Sequence, residues 1–225
     1  MKKFLIVANI LAFVVFAGCG SQSSKTENTQ ELASIQESAS YGVDLGLSVN
    51  WAVCNVGAEN PEEVGVRVPL GNVTGTVKSP KLESMNVSGT DKDIAKVMMG
   101  DGWRMPAGKE MRELVDECEW NVETVNGHNG FRVTGKNGNS IFLPNSGSNY
   151  LSESFSSMDF EFTDNTNISY EGNYWCGTPD ADEVYIVNGY EYGCNHLNFN
   201  TDTSKKQFMI CDLYFCCAVR AVHEK

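Results

Sequence analysis

The sequence predicts an α+β domain built around an antiparallel sheet, on two observations. Within the folded domain 90–99 and 108–118 carry apolar residues at helical spacing, whereas period-two segments recur between residues 43 and 222. In addition, Asn137-Gly138 stands between two alternating apolar runs, which is the chemistry of a tight hairpin. Strands that outnumber helices in this way place the chain in the α+β class.

The first element is a strand pair or one long bent strand over 43–54, with Leu45, Leu47, Val49 and Trp51 alternating onto one face. Gly57 and Pro61 break the pattern, and the Gly- and Val-rich stretch 62–89 reads as short strands and loops. Thr90 caps a first helix whose positive end is favoured by Asp91 and Asp93. Its apolar members are Ile94, Ala95, Val97 and Met98, and Gly100 stops it. A second helix follows Pro106, running from about Gly108 to Cys118 with Met111, Leu114, Val115 and Cys118 on one stripe. After Trp120 the period becomes two. Phe131 and Val133 precede Lys136-Asn137-Gly138-Asn139, Ile141 and Leu143 follow, and Pro144 ends the hairpin. Residues 145–173 form a long polar insert, with further strands expected at 183–188, 195–199, 207–211 and 213–222.

The N-terminus carries an address rather than a fold. Lys2 and Lys3 precede an apolar run from Phe4 to Phe16, and small residues close it in Ala17-Gly18-Cys19. The run is shorter than the roughly 20 apolar residues of a membrane span. Its end resembles a bacterial lipobox, although Phe16 stands where Leu is usual. The resemblance implies cleavage before Cys19, acylation of that cysteine and a stable membrane anchor. The expected organisation is a signal peptide over 1–18, a polar tether over 19–40 and a folded domain over 41–225. The chain has 17 basic and 29 acidic side chains and a net charge of −12, with no basic footprint for nucleic acid.

Of eight cysteines, acylation of Cys19 leaves an odd number for the domain, in a compartment that permits disulfides. Burial as small apolar residues is the alternative for Cys54 and Cys118. There is no Cys-x-x-Cys, and the three histidines are scattered.

Several blocks then occur in a recognisable order. They are Val43-Asp44-Leu45-Gly46-Leu47-Ser48, Trp51 to Ala58, Gly102-Trp103-Arg104-Met105-Pro106, Cys118-Glu119-Trp120, Asn137 to Pro144, Gly172-Asn173-Tyr174-Trp175 and Val219-Arg220. Spread over 43–222, they resemble the Fibrobacter succinogenes major paralogous domain, which is abundant in Bacteroidetes lipoproteins. The resemblance implies a C-type lectin-like fold of the formylglycine-generating type, with two helices and a twisted, mainly antiparallel sheet. It also implies a double-membraned bacterium, hence an outer-membrane lipoprotein whose face, periplasmic or external, is open. Val66 to Asn72 and Cys176-Gly177 depart from the family pattern.

Trp51, Trp103, Arg104, Pro106, Tyr174, Trp175 and Arg220 are structural candidates on this reading. Arg104 is expected to pair with Glu110 or Glu113, and Arg220 to clamp a carboxylate. A surface groove is the alternative for Trp175. Asp180, Asp182 and Glu183 have the oxygen chemistry of a calcium loop, but the lectin calcium signature is absent and a solvated acidic loop is the better reading; no other cofactor is expected. The favoured binding region is 145–205, rich in Tyr, Asn and Ser, with Tyr150, Tyr170, Tyr190, Tyr192 and His196 as contact candidates. The expected role is a non-catalytic binding or adhesion domain for a glycan or an extracellular protein. An enzyme acting on an extracellular polymer through an acidic pair, and a structural envelope lipoprotein without a ligand, are the alternatives.

The address makes the first prediction. The intact mass of the mature protein will show acyl chains on Cys19 as its first residue; an unmodified Cys19 or a cut elsewhere contradicts the lipobox reading.

Overall fold

Trp51 is paired on both sides. Strand β1 (Val43–Asp44) sets Val43 opposite it, and β12 (Val222–His223) sets Val222 opposite it from the other flank of β2 (Asn50–Trp51). With β3 (Trp103–Arg104) beyond β12, these strands form an antiparallel sheet of order β1-β2-β12-β3. Leu45, Leu47, Val49 and Trp51 are all buried, as their alternation requires. The computed structural model describes residues 42–74, 85–147, 149–150, 170–187, 190–210 and 215–225, with backbone alone for 149–150, 180–187 and 190–194. All belong to one compact unit, Gln36–Lys225.

A second antiparallel sheet contains β4 (Glu119–Val125), β5 (His128–Thr134) and β6 (Ser140–Pro144). Its β5–β6 turn is the Asn-Gly turn of the sequence, with Gly138 at φ 87°, a left-handed value that suits glycine. The tip docks on β1, because Asn137 Nδ2 and Asn139 Nδ2 both donate to Asp44 O at 2.8 Å. A Cβ on Gly135 would lie 2.0 Å from Leu45 O, so the hairpin base requires glycine for this approach. The third sheet has order β10-β9-β8, from β8 (Glu171–Val187), β9 (Tyr190–Asn200) and β10 (Lys205–Met209). β7 (Asn149–Tyr150) pairs with β11 (Phe215–Cys216). Two helices among the described residues, α1 (Ile94–Met99) and α2 (Gly108–Glu117), complete an α+β domain with antiparallel sheets. No helix among the described residues is long and apolar enough to cross a membrane.

Both helices are held by carboxylates. At six residues α1 is too short to persist by its own hydrogen bonds. Its N-cap is Asp93, not Thr90, because the Asp93 carboxylate collects four backbone N–H groups. It accepts from Ala95 at 2.9 Å, Lys96 at 3.3 Å, Gly89 at 2.7 Å and, across the chain, Met105 at 2.8 Å. Thr90 instead closes the turn before it, donating to Val87 O. Ile94 and Ala95 bury, while Val97 and Met98 remain 52% and 47% exposed, so the first helix presents a narrower apolar face than its composition suggests. In α2, Glu110 reaches back to the Ala107 N–H at 2.8 Å and takes a bidentate fork from Arg104 at 2.7 and 2.8 Å. Burial would push the Glu110 carboxyl up, but Arg104 and that N–H outweigh it and hold it below the ordinary range. Arg104 also bonds Glu224. Glu113, the other expected partner, binds the Ser48 N–H and hydroxyl instead.

Consecutive residues of β8 face different cores. Tyr174 packs with Leu114, Phe131, Val133, Leu197 and Phe199, while Trp175 packs with Val68, Leu70, Trp103, Met105, Phe215 and Val219. Both are fully buried, and Trp175 Nε1 donates to Val68 O at 2.7 Å, which places this indole in the core rather than in a surface groove.

Arg220 overturns one expectation. It is completely buried, yet its partners are not carboxylates. Nε donates to Asn55 Oδ1 at 2.8 Å, Nη1 to Ala52 O and Val53 O at 3.0 and 2.6 Å, and Nη2 to Phe142 O at 2.8 Å. Desolvation brings its pKa down to about 10, still cationic at neutral pH. Carbonyl oxygens suffice because a guanidinium spreads its charge over several fixed N–H groups. Asn55 Nδ2 then donates to Tyr174 Oη, which donates to Pro144 O at 2.8 Å.

Arg220→Lys keeps the charge but cannot serve four acceptors in this fork, so it will cost on the order of 3 kcal/mol in urea unfolding. Trp103→Ala will cost roughly 3–5 kcal/mol in the same measurement. A loss under about 1 kcal/mol in either variant would contradict the packing described.

Candidate functional site

The strands of the third sheet are unequal, and this exposes one of its faces. β10 pairs only with the His196–Asn200 end of β9, from Lys205↔Asn200 to Met209↔His196. Period two then sorts the side chains. Gly172, Tyr174, Leu197, Phe199 and Phe208 face the core beneath α2. The opposite face shows three rows across the strands: Glu171, Asn200 and Lys205; Asn173, Asn198 and Gln207; Trp175, His196 and Met209.

The middle row is a chain of amides. Gln207 Nε2 donates to Asn198 Oδ1 at 3.2 Å, Asn198 Nδ2 to Asn173 Oδ1 at 3.0 Å, and Asn173 Nδ2 to Gly147 O at 2.9 Å. The inner end is buried and further fixed by Ser146, whose hydroxyl accepts the Asn173 N–H at 2.8 Å. Asn198 and Gln207 are half-buried, and Met209 beside them is 36% exposed. In the next row Asn200 Oδ1 accepts the N–H groups of Asp202 and Thr203, both at 3.0 Å, and so fixes its own amide plane. The face therefore carries neutral groups with both donors and acceptors, and its inner end is buried and hydrogen-bonded in place.

The residues expected to bind are distributed differently. Tyr170, 60% exposed, lies at the start of this face, where its carbonyl accepts the Thr201 N–H at 2.7 Å. His196 does not reach the surface. It is 1% exposed, with Trp175 and Phe215 rings at 5.9 and 5.5 Å, because the row it shares with Trp175 is where the face turns into the second core. His196 is thus a core residue, and its contact role is corrected. Tyr150 is opposite Phe215, Tyr190 opposite Val187 and Tyr192 opposite Tyr185; the side chains of all three tyrosines lie outside the described residues. Asp180 is opposite Cys194, and Asp182 and Glu183 fall within a register shift of β8 before Val184. Their side chains, like Cys19, also lie outside the described residues. Among the described residues no three His, Cys, Asp or Glu side chains are grouped to hold a metal ion. Gln207 was missed altogether, although Asn198, Asn200 and Gln207 lie at the alternating positions that an outward face requires.

A small pocket of about 170 Å³ lies elsewhere, lined by Leu45, Gly46, Leu47, Glu113, Glu117 and Lys136. It is smaller than the ~300 Å³ at which ligand sites begin. Lys136 and Glu117 pair across it, and Ser48 occupies Glu113. Cys54 and Cys118 are free thiols, both raised in pKa by burial, Cys118 to about 11, so neither supplies a thiolate at neutral pH. No protein-family model, characterised protein or solved structure matches this chain.

Burial of His196 has a measurable consequence. Desolvation pushes its pKa from 6.5 down to about 4. The unfolded chain therefore takes up a proton that the fold refuses. His196 contributes no pH dependence above about pH 7 and destabilises the fold increasingly as pH falls from 6.5 towards 4. Between pH 7 and 5.5 the loss attributable to His196 is on the order of 1 kcal/mol. Urea unfolding of the wild type and of His196→Gln at both pH values will show this difference in slope, whereas parallel slopes would mean that His196 protonates as readily folded as unfolded.

Proposed function

We propose that this protein is a lipid-anchored, non-catalytic binding domain of a bacterial cell envelope, and that it meets its ligand on the outward face of β8–β10. The observation that carries the reading is the amide row Asn173–Asn198–Gln207. A rigid inner end and a half-exposed outer end are what a recognition surface needs, since little freedom is lost when the ligand arrives. The row is continuous with Asn200 and the exposed Tyr170, so large contact area and adaptable hydrogen bonding adjoin.

A C-type lectin-like fold is the architecture this reading assumes. Its supports are the two helices, the antiparallel sheets, and the sequence blocks that form the strand junctions at Trp51, Trp103 and Trp175. Cys19 would be the anchor.

Arrays of extracellular glycans and proteins, probed with the purified full chain in detergent, test the reading. Binding is expected, with a loss of at least about tenfold in the Asn198→Ala, Gln207→Ala double variant. Unchanged binding by that variant would remove this face from the proposal.

A further inference from the structure

We propose that the amide face recognises a neutral polyhydroxylated chain, an uncharged glycan, without help from a metal ion. This rests on the reading of the face as the ligand surface and names the class of ligand.

The argument begins with direction. Donation runs one way along the row, from Gln207 through Asn198 and Asn173 to Gly147 O. Each internal bond fixes an amide plane and leaves the remaining polar capacity at the outer end. Gln207 Oε1 accepts no hydrogen bond from the described residues, and Asn200 Nδ2 donates none to them. The Gln207 oxygen is held because its nitrogen is bound to Asn198 and lies 3.1 Å from Met209 Sδ. The Asn200 nitrogen is held because its oxygen is occupied by Asp202 and Thr203. Gln207 is opposite Asn198, and Asn200 is two residues further along β9. An oriented acceptor and an oriented donor thus stand diagonally across the strands, about 7–8 Å apart at their backbones. Each hydroxyl of a sugar both donates and accepts, so neighbouring hydroxyls of one ring can serve both groups together.

Charge selects the neutral member of that class. The recognition row is uncharged, and its neighbouring row carries Glu171 and Lys205, one of each sign. The whole chain is at −12, which opposes a polyanionic partner. Composition argues against a protein. Interfaces between proteins concentrate affinity in apolar or aromatic anchors at a desolvated centre. Here the large hydrophobic side chain exposed on the face is Met209, at its rim, with Tyr170 beyond the far end. Metal independence follows from the same groups: the amide oxygens of Asn173, Asn198 and Asn200 are already engaged by N–H donors, which leaves too few oxygens for the six to eight of a calcium shell.

The test uses the full chain in a zwitterionic detergent that has no sugar headgroup. Neutral oligosaccharides (gluco-, manno- and galacto-hexaoses), uronic-acid oligosaccharides and a panel of extracellular proteins are immobilised and probed with and without EDTA. Binding to at least one neutral hexaose is expected, unchanged by EDTA and at least tenfold weaker to uronic-acid chains. Gln207→Glu, which replaces the donor to Asn198 by a carboxylate, is expected to weaken it at least tenfold with little change in urea midpoint, because its side chain is partly exposed; Asn200→Ala, which also removes the acceptor for Asp202 and Thr203, is expected to weaken it at least tenfold while urea unfolding shows the protein still folded. Binding lost in EDTA, preference for the acidic chains, or wild-type affinity in both variants overturns the proposal. Binding only to proteins, sensitive to Asn198→Ala with Gln207→Ala, overturns the glycan class and leaves the binding-domain reading standing. No binding to any probe overturns both.

Discussion

A guanidinium in a dry interior must find an acceptor for its donors, and Arg220 finds them in two parts of the chain. Ala52 O, Val53 O and Asn55 Oδ1 come from the loop after β2, and Phe142 O comes from β6. Neither segment could withdraw without leaving a buried charge uncompensated, a cost of several kcal/mol. Arg220 therefore joins the four-stranded sheet to the hairpin sheet, and Asn55 extends the link to Tyr174 and Pro144. Tyr174 carries the constraint into β8, where the next residue, Trp175, anchors the second core. Burial pushes the Tyr174 hydroxyl up to about 12, so it stays a neutral donor throughout the physiological range.

The consequence for the third sheet is that its inner half is packed and hydrogen-bonded on both sides while its outer half presents side chains at the surface. β8 is fixed by Tyr174 and Trp175. β9 is fixed by Leu197 and Phe199, with Phe199 stacked on Tyr174 at 5.7 Å. β10 is held on the core side by Phe208, over which Arg112 lies at 4.5 Å, and by Lys206 above Trp120 at 5.4 Å. With one side of every strand committed to the core, the alternate residues Asn173, Asn198 and Gln207 fall into register without any side-chain choice of their own. The amide row is thus a product of the register that the apolar residues set.

Much of this was legible in the sequence, and what was not has identifiable causes. The Leu45 to Trp51 alternation, the second helix and the Asn-Gly hairpin were readable because each is specified locally by period or by turn chemistry. The cap of the first helix was misplaced from Asp93 to Thr90, since the decisive contact is the distant Met105 N–H. Arg220 was assigned a carboxylate because charge pairing is the commonest answer to burial, and sequence shows nothing of backbone carbonyls converging from Ala52, Val53 and Phe142. His196 was placed on the surface because its neighbours Asn195 and Asn198 are polar; its cross-strand partner Trp175 decides its burial. Gln207 was missed because a ligand face made of three strands has no contiguous signature. Of the two contact candidates whose side chains are described, Tyr170 and His196, only Tyr170 is exposed.

The central claim is that the outer end of the amide row meets the ligand while the inner end stays fixed. Side-chain amide resonances of Asn173, Asn198, Asn200 and Gln207, followed by NMR while a neutral hexaose is titrated into the protein, address both halves at once. The account predicts saturable shifts at Gln207, Asn200 and Asn198, with Asn173 nearly stationary. Shifts confined to residues away from this sheet, or a displaced Asn173 with a silent Gln207, would contradict it.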